Sequence, residues 1–206
     1  MKKLFLLLVL LVSAVGFAQK GKGKPAAKNV VLTTVDNISA EIISEKTGKR
    51  VVLFVKKEGK VDTLEVKKLE KVDFKPTNFT VKSFTTQGKK FYHVNWKEEI
   101  KTDTKLKKEN GFVTEDQIWD TETKTLLLGN VHKSSRIKET IFLDASKTAS
   151  HDVEKNRSEG FEFTLNPDGS FVLKTKTQNS TYVYNTASSK YEMKGAPKTS
   201  GTKKKK

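Results

Sequence analysis

The chain of 206 residues contains no cysteine. Disulfides and cysteine-based zinc sites are therefore excluded. A lipid-anchored bacterial lipoprotein needs a cysteine directly after its signal, so that route is closed too. The composition fits a bacterial envelope or secreted protein better than a small animal secreted domain, which disulfides usually staple. Long apolar runs are also missing beyond the first residues. Val51 to Val55 and Leu126 to Leu128 are the longest later ones, far short of the ~20 residues a membrane-spanning helix needs. The mature chain is thus expected to hold no transmembrane segment.

Signatures of catalysis are equally scarce. There is no H-E-x-x-H, no G-x-S-x-G, no Walker loop and no dinucleotide fingerprint. His93, His132 and His151 stand far apart, without metal-ligand spacing. Ser135-Arg136-Ile137-Lys138 fits S-x-x-K and Lys46-Thr47-Gly48 fits K-T-G. In the penicillin-binding proteins the second motif follows the first, and an S-D-N lies between them. Here the order is reversed and S-D-N is absent, so the match carries no function. Glu98-Glu99, Glu115-Asp116 and Asp120-Glu122 are acid pairs of the type glycosidases use at roughly 5–9 Å, but lysine-rich surroundings give them an ordinary surface role. The expectation is a protein with no catalytic residue, no metal and no cofactor.

What is present begins with an export signal. Lys2 and Lys3 precede the apolar run Leu4 to Val12, and Gly16-Phe17-Ala18 follows. That layout predicts a signal peptide over 1–18, cut between Ala18 and Gln19, and a periplasmic or secreted protein. Losing Lys2 and Lys3 lowers the net charge from +16 to +14. A field of that sign attracts anions and is weakened by salt. Export argues against nucleic acid as the partner and favours lipid headgroups, lipopolysaccharide or acidic polysaccharide. Lys67, Lys68, Lys105, Lys107 and Lys108 form the candidate polyanion-binding set. Their plainer role is to keep strand edges soluble and unpaired.

Residues 19–28 and 195–206 read as a disordered basic leader and a disordered lysine-rich tail. Between them, 29–194 is dominated by short β-branched and aromatic runs with turn residues between. The pattern predicts a mostly β protein, an antiparallel meander forming a barrel or sandwich, with at most one or two short helices. Expected strands include 38–44, 50–56, 61–66, 78–84, 90–96, 117–121, 125–128, 136–143, 161–165, 170–175, 181–185 and 190–193. Tyr92, Val94 and Trp96 share one face of their strand and Phe91, His93 and Asn95 the other, and the first set reads as the core face. The polar stretch Lys97 to Gly111 reads as a loop or short helix and a possible seam. Asp144 to Arg157 reads as the one place for a real helix.

Asn166-Pro167-Asp168-Gly169 has the acid, amide and glycine of a calcium loop. An EF-hand needs an acid at its first position and Glu at its twelfth, where this chain has Thr164 and Thr175. Pro167 instead suits the first corner of a type I turn, and Gly169 a left-handed residue after it. The stretch therefore predicts a hairpin. The sequons at Asn37, Asn78, Asn156 and Asn179 are coincidental in a bacterial host.

F-E-F-T-L-N-P-D-G-S-F-V-L over 161–173, then T-Y-V-Y and K-Y-E-M, resembles the closing hairpin and tyrosine strand of bacterial lipocalin-like domains. Trp119 is the counterpart the resemblance offers for that family's early tryptophan. The family usually continues with further strands, whereas this chain passes into Gly195 and its lysines. The resemblance implies a bent antiparallel sheet or barrel able to hold an apolar ligand, and no functional residues carry over. Trp119, Phe163, Phe171, Tyr182 and Tyr184 are the aromatics to test for such a ligand, with core packing as their ordinary role. The expected function is a non-enzymatic exported binding protein of the envelope, for an apolar or lipid-like ligand or for an envelope polyanion. The alternatives are a structural protein docking on an outer-membrane partner and a hydrolase with an unrecognised site.

Overall fold

The computed structural model describes residues 29–45, 48–69 and 76–195. The expected signal peptide and leader, nearly all of the expected tail, and Lys46 and Thr47 of the K-T-G match lie outside them. Thirteen strands and no helix occur among the described residues, and every pairing is antiparallel between sequence neighbours. The first sheet holds β1 (Val30–Val35), β2 (Ile38–Glu45), β3 (Gly48–Lys57) and β4 (Lys60–Leu69). The second holds β5 (Thr77–Thr86), β6 (Lys89–Asp103), β7 (Lys107–Asp120), β8 (Thr125–Phe142) and β9 (Ser150–Gly160). The third holds β10 (Glu162–Leu165), β11 (Phe171–Lys174), β12 (Asn179–Asn185) and β13 (Lys190–Met193).

Local chemistry explains the short turns. Two-residue hairpins of the primed type need positive φ at both central residues. Glu58 and Gly59 have φ of 48° and 78°, and Gln87 and Gly88 have 48° and 75°. The 166–169 turn also forms as the sequence predicts. The Gly169 amide donates to the Asn166 carbonyl at 3.0 Å, and the Asp168 carboxylate accepts from the Ser170 amide and hydroxyl at 2.9 and 2.6 Å.

The core has two halves because the second sheet is covered on both faces. Tyr92, Val94, Trp96 and Trp119 pack with Ile38, Val51, Leu53, Val55, Leu64 and Val66 of the first sheet. On the opposite face, Phe91 and Ile118 pack with Phe171 and Tyr184 of the third. The expected core face is therefore a core face, but Phe91 on the other side is just as fully enclosed, at 0% exposure. The result is a three-layer antiparallel sandwich. Truncating Trp96 or Phe91 to alanine removes a fully enclosed ring, a change that costs about 3–5 kcal/mol.

Two expectations are corrected. Lys97 to Gly111 is neither loop nor helix. Lys97↔Thr114 through Asp103↔Lys108 are rungs of one ladder, closed by a turn over 104–106. Asp144 to Arg157 holds no helix: β9 pairs with β8 from Phe142↔Ser150 to His132↔Gly160. Both stretches lie beyond the residues of the second sheet that the two apolar clusters engage. Their strands need no apolar alternation and instead match charges across rungs, as in Lys138–Asp152 and Lys155–Glu139. The runs 125–128 and 136–143 are also one strand, β8, and β1 lay unrecognised at Val30–Val35.

The second sheet consequently outreaches its neighbours. At about 3.3 Å per residue, the 18 residues of β8 extend about 60 Å. The apolar clusters engage only the near half of β6, up to Trp96. The rest of β6, the start of β7, the end of β8 and β9 form a projecting sheet with a tip at 104–106 and 143–149.

Candidate functional site

The aromatic set splits between the two cores. Phe163, Phe171, Tyr182 and Tyr184 line the inner face of the third sheet, whereas Trp119 lies on the opposite side of the second. Ring centroids stand 5.5 Å apart for Phe163–Phe171, 5.0 Å for Phe171–Tyr182 and 4.8 Å for Phe91–Tyr184. These are contact distances, so the rings fill the space between them themselves. Trp119 donates its indole N–H to Gln117 Oε1 at 2.8 Å, and Gln117 donates to the Val66 carbonyl at 3.1 Å. That relay ties the first sheet to the second.

The lysine set splits as well. The Lys67 ammonium sits between the carboxylates of Glu98 and Glu115 and 5.6 Å from the centroid of the Trp96 ring. Lys68 lies 3.9 Å from Glu65. Lys107 bridges Glu109 at 3.2 Å and Glu139 at 3.7 Å, and Lys108 reaches Asp103 at 3.7 Å. Lys105, in the turn, has no polar partner among the described residues. Much of the net charge also lies elsewhere. Residues 1–28 carry six lysines and 196–206 carry five, with no acid in either, out of a net +16.

Burial is the first influence on both Lys67 and Glu115. Two carboxylates outweigh it at Lys67, whose affinity for its proton is raised. At Glu115 one ammonium shared with Glu98 does not, and the carboxyl is pushed above its ordinary value. The acids at neighbouring positions do not act as pairs, because successive side chains point to opposite faces. Glu98 and Glu115 meet across strands at Lys67. Asp116 turns to the other face, where it lies 2.9 Å from His93 Nε2 and accepts from Asn95 at 2.8 Å.

The same alternation separates Ser135 from Lys138. Ser135 donates to Glu109 Oε1 at 2.8 Å, while Lys138 projects from the other face toward Asp152. His132 is 3.0 Å from Ser158 Oγ and His151 pairs opposite Ile141, so the histidines do not converge. No group of three metal-ligating side chains occurs among the described residues.

What sequence reasoning missed is the tip of the projecting sheet. The Thr140 amide donates to the Leu106 carbonyl at 2.9 Å, which holds the β6–β7 turn against the end of β8. Leu106, Ile141 and Leu143 therefore gather at one end, 48%, 43% and 66% exposed. Lys105, Lys107 and Lys108 flank Leu106, and the Lys147 ammonium lies 5.7 Å from the centroid of the Phe142 ring. The nearby acids are held by neighbouring groups, although Asp103 and Asp152 remain half or more exposed. Asp144 is held below its ordinary value by the Thr148 hydroxyl and amide, and Asp152 by the Thr140 hydroxyl and Lys138. Lys155 does the same for Glu139. The tip thus presents exposed apolar side chains together with lysines, of which Lys105 has no acid beside it among the described residues. Its trace in the sequence is Lys105-Leu106-Lys107-Lys108 and Phe142-Leu143, which the local pattern assigns to a loop and a strand end.

No family model, curated protein or solved structure matches this chain. No helix of the described residues is long and apolar enough to cross a membrane.

Proposed function

We propose that the chain is an exported, non-enzymatic binding protein of the bacterial envelope that docks on an anionic lipid surface through this tip. The carrying observation is the exposed trio Leu106, Ile141 and Leu143 on a projecting sheet, with lysines around the turn. Interfacial binding grows with buried apolar area plus attraction to anionic headgroups. Together the three side chains expose the equivalent of about one and a half complete ones, worth about 2–5 kcal/mol on burial. Lysines near an anionic surface add about 1 kcal/mol each. Lys107 and Lys108 are compensated by Glu109, Glu139 and Asp103, so Lys105 contributes about 1 kcal/mol. The sum corresponds to a dissociation constant between about 10 mM and 50 μM, a reversible attachment.

Docking by a strand edge is the weaker reading. β9 is the exposed edge of the projecting sheet and carries Asp152, Glu154, Lys155 and Arg157. Such charges blunt edge pairing. The test is flotation of the chain from Gln19 onward with vesicles of phosphatidylglycerol and phosphatidylethanolamine, against phosphatidylcholine alone. Co-flotation with the anionic vesicles only is the expected result. Equal recovery with both, or none with either, would overturn the proposal.

A further inference from the structure

Alternate turns of an up-and-down meander fall at the same end. The β1–β2, β3–β4, β5–β6 and β7–β8 turns accordingly meet at the end of the sandwich away from the tip. They enclose a cleft of about 210 Å³. Asn37 comes from the first turn, Lys57 from the end of β3 before the second, Lys90 from the start of β6 after the third, and Thr121 and Glu122 from the fourth, over a floor of Val55 and Tyr92.

The walls are fixed by contacts of their own polar groups. Asn37 Nδ2 donates to the Lys56 carbonyl at 2.6 Å, and the Lys56 amide donates to the Asn37 carbonyl at 2.9 Å. Lys90 is anchored to Asp36 at 2.6 Å. Asp120 accepts from the amides of Glu122 and Thr123 at 2.9 and 3.2 Å, and Lys124 ties the same turn to Asp62 at 2.7 Å. The Lys57 ammonium, the Thr121 hydroxyl and the Glu122 carboxylate have no polar partner among the described residues.

We infer that this cleft is a second binding site, for one residue of an acidic saccharide. Both signs of charge line it, so a dense polyanion such as polyphosphate would meet Glu122. A carboxylate on a polyhydroxyl ring suits both. Its anionic group faces Lys57 and Lys90, its hydroxyls face Thr121, Glu122 and the Asn37 side chain, and its C–H face rests on Val55 and Tyr92. Small sites of this kind combine an apolar floor with a few fixed polar groups.

The test is a titration of the isotope-labelled chain with galacturonate oligomers, with galactose as the neutral control. Resonance shifts confined to the four turns, and at least tenfold weaker binding of galactose, are expected. Lys57→Gln should weaken galacturonate binding about tenfold and Glu122→Gln at least threefold. Both residues are exposed, so neither change threatens the fold. Deep-rough lipopolysaccharide, which carries acidic sugars on a lipid, forms the second arm. Lys57-dependent binding of the soluble oligomer alone points to free polysaccharide, and of both to the lipid-borne sugar. Binding of galactose equal to galacturonate, indifference to Lys57→Gln, or competition by pyrophosphate at equal concentration would overturn the inference. Leu143→Asp at the tip should leave this affinity unchanged, which separates failure here from failure of lipid docking.

Discussion

Replacing Leu143 by aspartate isolates the apolar part of the tip. Leu143 is 66% exposed, so the sandwich loses no packing and thermal unfolding should be unchanged. On a bilayer the leucine would bury that exposed two-thirds. Complete burial of a leucine is worth about 1.5–3 kcal/mol, so its loss removes about 1–2 kcal/mol. Affinity for vesicles with anionic headgroups should fall about 5- to 30-fold, and further because a carboxylate now faces phosphate. Val61 is the matching control. It is 57% exposed, on the β3–β4 hairpin at the other end of the sandwich, and Val61→Asp should change nothing. Raising salt shortens the screening length from about 10 Å at 0.1 M to about 3 Å at 1 M. It should weaken the wild type through the lysines of the turn and narrow the ratio between wild type and Leu143→Asp toward its apolar part of about 5- to 30-fold, because the new carboxylate's repulsion is screened too. Vesicle co-sedimentation over a lipid titration measures all of this. Equal losses for Leu143→Asp and Val61→Asp, or none for either, would refute the reasoning.

Acid should loosen the projecting sheet before the sandwich. Glu109, Glu139, Asp144, Asp152 and Glu154 all hold their protons more weakly folded than free. A carboxyl lowered in this way adds stability above its unfolded value, here 3.8 for Asp and 4.5 for Glu, and that stability is lost as pH falls through the folded value. Amide exchange followed below pH 4.5 should therefore rise first in β9 and the distal half of β8, and uniform loss of protection would contradict this. Lys67→Met should leave Glu115 enclosed with no ammonium, its side chain only 12% exposed. The loss should be about 1–3 kcal/mol, below the 3–5 kcal/mol of a fully buried pair, and a lowered melting midpoint in calorimetry checks it. Gly169→Ala should destabilise by at least about 1 kcal/mol, because φ is +80° and a Cβ there would stand 2.5 Å from Thr86 Cβ. Denaturant titration reads the shift.

Wherever a flanking sheet covers the central one, the strands were legible from apolar periodicity. Phe91-Tyr92-His93-Val94-Asn95-Trp96 has the alternation of a strand, and that alternation suggests a single core face. His93 and Asn95 broke the apolar pattern of the second face, and Phe91 alone signalled that this face too was covered. In the projecting sheet the pattern fails for the opposite reason. Most side chains of 97–111 and 150–160 are polar and reach water, although Glu109 is enclosed beside Ile137, so the strands are held by backbone ladders and cross-strand charge pairs, which leave no period-two apolar trace. Polarity of this kind suggests loop and helix.

Individual residues mattered less to the candidate sites than the topology that gathers them. Leu106 and Leu143 lie 37 positions apart, and neither is notable within its own segment. Only the β7–β8 ladder, with Lys107 opposite Glu139, puts both at one end. The same meander sends Asn37, Lys57, Lys90 and Glu122 to the other. Distance between the ends follows from β6. Tyr92 at the cleft and Asp103 beside the tip are eleven residues apart on one strand, about 36 Å at 3.3 Å per residue. A chain that rests its tip on a lipid surface therefore holds the saccharide cleft several headgroup layers away from it, where sugar chains rather than phosphates are within reach. The two proposed ligands are thus compatible in a single orientation, and that orientation is set by the length of β6.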